Sequence, residues 1–312
     1  MSKILVFGHK NPDTDAITSA IAYAYYLEQK GEEAEAVALG EVNEETQFAL
    51  DKFGYQAPRV VDKVANETDT VALVDHNEAQ QSVDDRDLVS IHSVVDHHRI
   101  ANFETADPIF YLARPYGCSQ TIIYSLFQEA DIAIPENLAG LMLSAIISDT
   151  LLFKSPTTTA ADEKVGQALA EIAGVDLQAY GLELLKSGTN VADKSAEEIA
   201  DGDAKSFEMG NHTIRIGQIN VVEVSDVLDR KEEILAEMQR LSVDNDYEAF
   251  LLIVTNILSN DSEGLVVGKE DLVPAFQTAF NGQVTDKQIA LPGVVSRKKQ
   301  VVPSLTTEIE SL

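Results

Sequence analysis

The sequence predicts an α/β protein of two domains: an N-terminal parallel-sheet domain with helices on both faces, and a smaller mixed-sheet α/β domain at the C-terminus. Three observations predict it. Short apolar runs alternate with segments of helical periodicity through the first half, the pattern of a parallel sheet joined by crossover helices. The runs stop on clusters of acidic and histidine residues: Gly8-His9-Lys10-Asn11-Pro12-Asp13-Thr14-Asp15, Asp75-His76-Asn77, Asp96-His97-His98 and Ser148-Asp149. The length of 312 residues exceeds what one core usually organises, roughly 250 to 300 residues.

Taken in order, residues 3–8 read as a buried strand and 14–29 as a helix with apolar residues at helical spacing, stopped at Gly31. Strand 34–39 and helix 44–53 follow, then strands 70–74 and 89–95, each ending directly on an aspartate. Segments 119–130 and 135–147 are apolar helices, the second with Pro135 in its first turn and running into Ser148-Asp149. After helices 161–173 and 177–186 comes Lys186-Ser187-Gly188-Thr189-Asn190, small and polar as a linker should be. The expected division is a metal-binding domain 1–187, a hinge linker 188–194 and a second domain 195–312. In that second domain, strands around 206–209, 213–222, 249–257 and 264–267 accompany a helix over 225–241.

Composition narrows the function. A formal net charge of −29 repels a polyanion, so long nucleic acid is not an expected partner. Acidic pairs such as Glu32-Glu33, Glu44-Glu45, Glu197-Glu198 and Glu232-Glu233 read mostly as solvated helix faces. The first apolar run reaches a turn within eight residues, too short for a signal segment or a membrane span. A cytoplasmic protein with no membrane association is therefore expected. Cys118 is the only cysteine, which excludes an intrachain disulfide and a thiolate metal cluster within the chain.

In an open parallel sheet, ligands bind beyond the carboxyl ends of the strands, and the clusters fall there. Taken singly, Asp13 reads equally well as the cap of the helix beginning at Thr14, and Asp75 and Asp149 as loop or cap residues. Together, four or five converging carboxylates are unfavourable unless cations neutralise them, which points to divalent metal. Oxygen ligands alone suit Mg²⁺ or Ca²⁺; imidazoles shift the preference to a first-row transition ion, and the lack of thiolates disfavours Zn²⁺. Mn²⁺ or Co²⁺ is the expected metal. Two such ions, about 3.5 to 4 Å apart and sharing a carboxylate, are suited to in-line attack on phosphorus by a bridging hydroxide. His76 and Asn77 read as supporting rather than ligating residues. Asp96 could orient His97 or fix the turn, and His92 and His212 read as ordinary.

Near the C-terminus, Ser296-Arg297-Lys298-Lys299 interrupts two apolar runs. Arginine grips phosphate oxygens through paired hydrogen bonds and lysine acts as a point charge, so the segment suits a compact phosphate group, although a plain solvated basic loop has the same spacing. Lys205 is a weaker candidate for the same role.

The order DxD, DHN, DHH and a final SD resembles the DHH phosphoesterase superfamily. With the Ser-Arg-Lys-Lys segment in a short second domain of DHHA2 type, the whole chain resembles the family II, manganese-dependent inorganic pyrophosphatases, their streptococcal and bacillus-type members in particular. The resemblance implies hydrolysis of pyrophosphate to two phosphates. It implies one metal site of His9, Asp13 and Asp75 and a second of Asp15, Asp75, His97 and Asp149, holding two Mn²⁺ per subunit with Co²⁺ as a substitute. His98 would contact substrate and help protonate the leaving phosphate, Lys205, Arg297 and Lys298 would hold the phosphates, and Mg²⁺ would arrive with the substrate. It also implies a homodimer through the N-terminal domain and a hinge that closes the second domain. Lys10 and Thr18 depart from the usual Gln and Gly of that family. A DHH-type oligonucleotide or cyclic-dinucleotide phosphodiesterase would share the metal cluster, but such enzymes usually carry a Gly-Gly-bearing second domain, and no Gly-Gly pair occurs here. A non-catalytic binding protein of the same fold would show tight binding without turnover.

Overall fold

The computed structural model describes residues 3–311, and the chain divides into two compact units, Met1–Gly188 and Thr189–Leu312. In the first unit, strands β1 (Ile4–Phe7), β2 (Ala34–Ala36), β3 (Thr70–Val74), β4 (Ser90–Asp96) and β5 (Phe110–Ala113) form one sheet in the order β2-β1-β3-β4-β5. All its pairings are parallel. The chain leaves β1 first toward β2 and later returns to β3 on the other side, so the β1/β3 junction is the point where a parallel sheet opens a crevice at its carboxyl end.

Helix α1 (Thr14–Gln29) starts where the Asp13 side chain accepts the Ala16 N–H. Asn43 caps α2 (Glu44–Phe53) in the same way, and left-handed Gly54 ends it. Helices α3 (Ser119–Glu129), α4 (Glu136–Thr150), α5 (Ala160–Ala173) and α6 (Leu177–Gly188) follow. Pro135 lies one position before the first turn of α4, with extended backbone, as its cap. α4 also continues past 147, so Ser148 and Asp149 occupy its last turn. Its buried residues run all round the helix, from Leu138 to Ile147, because it is enclosed by its neighbours.

The two faces of the sheet are covered unequally. α1 lies against one face, where Tyr23 donates to Ser93 of β4 at 3.0 Å. On the other, Leu5, Phe7, Val71, Leu73 and Val94 pack with Val61, Val64 and Val83 from connecting segments. The last of these lies between the short 3₁₀ turns Ala79–Gln81 and Arg86–Leu88. β5 had no clear signal in the sequence: it is a four-residue edge strand whose residues are half-buried or exposed.

The second unit begins with α7 (Ala196–Asp201) and builds a mixed sheet from β6 (Ala204–Met209), β7 (His212–Val221), β8 (Ala249–Asn256), β9 (Asp261–Gly268) and β10 (Gln288–Leu291). The order is β10-β9-β8-β7-β6, antiparallel except for the parallel β7/β8 pair. The helix expected over 225–241 is two, α8 (Ser225–Leu228) and α9 (Lys231–Asp244). Arg230 leaves the helical conformation between them, and its guanidinium donates to the Val191 and Lys194 carbonyls at 2.9 and 2.8 Å. α9 packs Ile234, Leu235 and Met238 on Phe250, Leu252 and Val254. On the opposite face, α10 (Val273–Ala279) and α11 (Val302–Ile309) bring Phe276, Leu305 and Ile309 onto Leu251 and Ile253.

Candidate metal centre

The carboxyl ends of β1, β3 and β4 and the last turn of α4 meet in one polar cluster. Asp75, directly after β3, is held at positive φ of 57°, an uncommon conformation for a residue with a side chain. Its carboxylate is almost wholly buried and faces two ways. Oδ2 lies 3.4 Å from His9 Nε2, and Oδ1 lies 3.2 Å from His97 Nε2. Asp13 Oδ2 approaches the same His9 nitrogen at 3.5 Å, while its Oδ1 caps α1, so capping the helix leaves the other oxygen available to a cation.

Among the described residues, three groups have donor atoms close enough to hold a cation: His9, Asp13 and Asp75; Asp15, His97 and Asp149; and Asp75, His97 and His98. Asp15 Oδ2 and Asp149 Oδ2 each lie 3.9 Å from His97 Nε2. The histidines are oriented from behind. His9 Nδ1 donates to the Lys10 carbonyl and His97 Nδ1 to the Tyr116 carbonyl, each at 2.9 Å, which turns both Nε2 atoms toward the carboxylates.

The donor set fits divalent metal on a direct observation: Asp149 Oδ2 is buried and has no hydrogen-bond partner among the described residues. Burial, with the charges of Asp15 and Asp75, drives the Asp149 carboxyl well above the usual range. Asp15 is pushed up by burial and by Asp75. Burial opposes charge on His9, but Asp13 and Asp75 outweigh it and raise that imidazole to about 11. In the same way burial is outweighed by Asp75 and Asp15 at His97, raised to about 9. Asp75, though buried, is held low by His9 and His97. A divalent cation at this cluster would offset the mutual repulsion of these buried carboxylates.

His98 is set apart from the other two histidines. Its backbone N–H and ring Nδ1 both donate to Asp96 Oδ1 at 3.0 Å, and Asn77 Nδ2 donates to Asp96 Oδ2 at 2.6 Å. Asp96 therefore orients His98 rather than His97. With Nδ1 committed, its Nε2 is left for chemistry, and the half-exposed ring borders two concavities of about 300 and 360 Å³ that also share Asp75. A larger hollow of about 490 Å³ near the start of β4 contains none of the ligand groups. His76 spends both ring nitrogens internally, donating to Val74 and accepting from Ser82, and burial lowers it to about 4.

Several residues of the cluster carried no sequence signal. Ser119, at the start of α3, donates its backbone N–H to Asp15 at 2.7 Å and its hydroxyl to Asp75 at 3.1 Å. Glu45 is not part of a solvated face: it accepts from Thr14 and Ser148, both at 2.6 Å. The two departures noted in the sequence have local partners. Thr18 is buried and accepts from Gln120, and Lys10 pairs with Asp84. His212 pairs with Glu248, and His92 contacts Ser93.

In the second unit, Lys205 is exposed on β6 in register with Ile216 of β7. Arg297 reaches the same place, donating to the Ile216 carbonyl at 3.2 Å. Lys298 and Lys299 are exposed on the single π-helical turn Arg297–Val301. The second unit thus gathers Lys205 and Arg297 at one end of the β6/β7 pair.

Comparison with known proteins agrees with this geometry. The model described as "DHH family, N-terminal domain" matches residues 3–146, and the DHHA2 domain model matches 182–307. A probable manganese-dependent inorganic pyrophosphatase of Lactobacillus acidophilus is 58% identical over 306 residues, covering 98% of each chain. Another, of Enterococcus faecalis, is 58% identical and covers 98% of this chain and 99% of its own. A crystal structure of a Methanococcus jannaschii protein assigned as a family II inorganic pyrophosphatase matches with a TM-score of 0.62 and 39% identity, over 98% of this chain and 99% of that one. With the ligand clusters at the strand ends and relatives this similar over nearly the full length, the chain belongs to the family of manganese-dependent inorganic pyrophosphatases.

Proposed function

We propose that this chain hydrolyses inorganic pyrophosphate to two phosphates at a manganese centre held by His9, Asp13, Asp15, Asp75, His97 and Asp149. The observation that carries the reading is the two-way placement of Asp75, with one carboxylate oxygen 3.4 Å from His9 and the other 3.2 Å from His97. That placement suits a carboxylate shared between His9, Asp13 and Asp75 on one side and Asp15, His97 and Asp149 on the other. When bound there, two Mn²⁺ ions supply an activated water for in-line attack and Lewis-acid stabilisation of the charge on the phosphate oxygens.

The protein's own groups do the rest. Asp96 holds His98 Nδ1, so Nε2 is the atom that contacts substrate and carries a proton toward the leaving phosphate. Arg297, Lys298 and Lys205 neutralise phosphate oxygens, with the paired donors of the guanidinium giving orientation as well as charge. Mg²⁺ enters with pyrophosphate, and Co²⁺ substitutes for Mn²⁺. Domains 1–187 and 195–312 flexing about 188–194 belong to the same reading.

The test uses protein stripped of metal and reconstituted with Mn²⁺, Co²⁺ or Mg²⁺, with phosphate release measured from pyrophosphate and a linear dinucleotide offered in parallel. Mn²⁺-supported release from pyrophosphate, nearly abolished by Asp75→Ala and much less affected by Lys299→Ala, is the expected result. Preference for the dinucleotide, or near wild-type turnover by the Asp75 variant, ends the reading.

The reading extends to a cytoplasmic homodimer formed through the N-terminal unit. β5 supports it: one side of this edge strand is unpaired, Phe110 is exposed on it and Ile100 is exposed in the preceding loop. Light scattering should give twice the mass of one chain, and Phe110→Glu should shift it toward one.

A further inference from the structure

We infer that Asp203 is a positioning residue for Arg297, gripping one edge of its guanidinium so that the opposite edge is presented to a phosphate group. The inference rests on the reading of Arg297 as a phosphate ligand. A guanidinium has five N–H donors in a fixed plane. Arg297 Nη1 donates to the backbone carbonyls of Asp203 and Ile216, and Nη2 donates to Asp203 Oδ1 at 2.8 Å. Three donors on the Nη1/Nη2 side are thereby committed. Nε–H and the second Nη2 hydrogen remain, and these point the same way, as the parallel fork that matches two oxygens of one phosphate.

The backbone is fixed as firmly as the side chain. Gln218 on β7 accepts the Arg297 N–H at 3.1 Å and donates to the Val295 carbonyl at 3.0 Å, bracketing Ser296. Ser296 then caps the π-helical turn by accepting the Lys299 N–H at 3.2 Å. The Arg297 side chain is only 12% exposed, so few orientations are open to it. A long flexible cation has become a rigid one, and little ordering entropy remains to be lost when an anion binds.

Asp203 also answers an electrostatic difficulty. Lys205 stands two residues away and faces Ile216, whose carbonyl Arg297 uses, so two cations gather at one strand end. The Asp203 carboxylate, paired with Arg297 and two residues from Lys205 in sequence, adds negative charge at that strand end without occupying the free fork. Were Asp203 instead a competitor for the phosphate position, it would sit on the Nε side. It sits on the other.

The experiment is steady-state kinetics of full-length, Mn²⁺-loaded Asp203→Ala, Asp203→Asn, Arg297→Ala and the Asp203→Ala/Arg297→Ala double variant with pyrophosphate. Asp203→Ala should raise KM by about 10-fold, the scale of losing a charge-assisted hydrogen bond, with a smaller change in kcat. Asp203→Asn keeps an acceptor oxygen for Nη2 and should recover most of the loss. In the Arg297→Ala background, removing Asp203 should add nothing further. A lower KM for Asp203→Ala would mean that the carboxylate competes with phosphate, and an additive double variant would mean that it acts independently of Arg297; either overturns the inference. If Arg297→Ala alone leaves KM unchanged, the phosphate-ligand reading fails and the inference falls with it, whereas a large Arg297 effect with none from Asp203 sinks the inference alone.

Discussion

At the scale of single residues, the metal centre is a store of unfavourable electrostatics. Asp149 shows it most plainly, because its Oδ2 is buried without a partner and its carboxyl is pushed well above the usual range by burial and by Asp15 and Asp75. A side chain that destabilises the free fold is expected where function requires it. Asp149→Asn should therefore have opposite effects on two measurements. The melting temperature in chelator should rise, since a buried like-charge interaction is removed. Mn²⁺ affinity by titration calorimetry should fall by more than the about 10- to 100-fold typical of losing a group behind a ligand. A variant that melts lower in chelator while binding Mn²⁺ normally would show Asp149 to be a structural residue. The sequence made the acidic and histidine clusters legible because each sits where a strand or helix stops. It could not show that Asp96 serves His98 rather than His97, because both imidazoles follow it directly and only the turn after β4 decides which it meets; nor that Glu45 bridges Thr14 and Ser148, the latter 103 residues from it, because those contacts exist only once α1, α2 and α4 have packed.

At the scale of elements, the site depends on how closely α1 follows β1. A Cβ added to Gly8 would stand 2.5 Å from Ala16 Cβ and 2.6 Å from its Cα, so β1 and the first turn of α1 approach only because no side chain intervenes. Gly8→Ala must push α1 outward, carrying Asp13 and Asp15 with it. The expected cost is about 1–3 kcal/mol of stability from overpacking, measured by denaturant unfolding, together with weakened Mn²⁺ binding. Full stability with weakened binding would place the effect in the loop rather than in the packing. The same scale explains which elements were readable. α1, α2, β3 and β4 have strong periodicity or a continuous buried run, and the spacing of apolar residues marks them. β5, β10, α7, α10 and α11 span four to eight residues each, too few for a period to stand out. The break at Arg230 comes from its bonds to the Val191 and Lys194 carbonyls, 39 and 36 residues away in sequence, which no local pattern contains.

At the scale of the molecule, the cluster ties the stability of the fold to pH and metal together. His9 and His97 are raised to about 11 and about 9 by their carboxylate neighbours despite burial, against an ordinary value of about 6.5. Each contributes stability that is fully present below about pH 6.5 and is lost as pH rises through the folded value. Asp15 and Asp149, also raised, act in the same direction, because the folded chain keeps protons that the unfolded chain releases above about pH 4. Asp75 is lowered and works the other way, but only in acid, below the window that the histidines govern. The metal-free protein should therefore melt at progressively lower temperature from about pH 6 to about pH 9. Mn²⁺ bound at these residues would displace those protons and neutralise the same carboxylates, so its stabilisation should grow over that range as proton competition fades. Scanning calorimetry at a series of pH values, with chelator and with Mn²⁺, measures both slopes in one protein. A chelated protein whose melting temperature holds steady or rises toward alkaline pH would mean that the carboxylates around Asp75 are already compensated without metal.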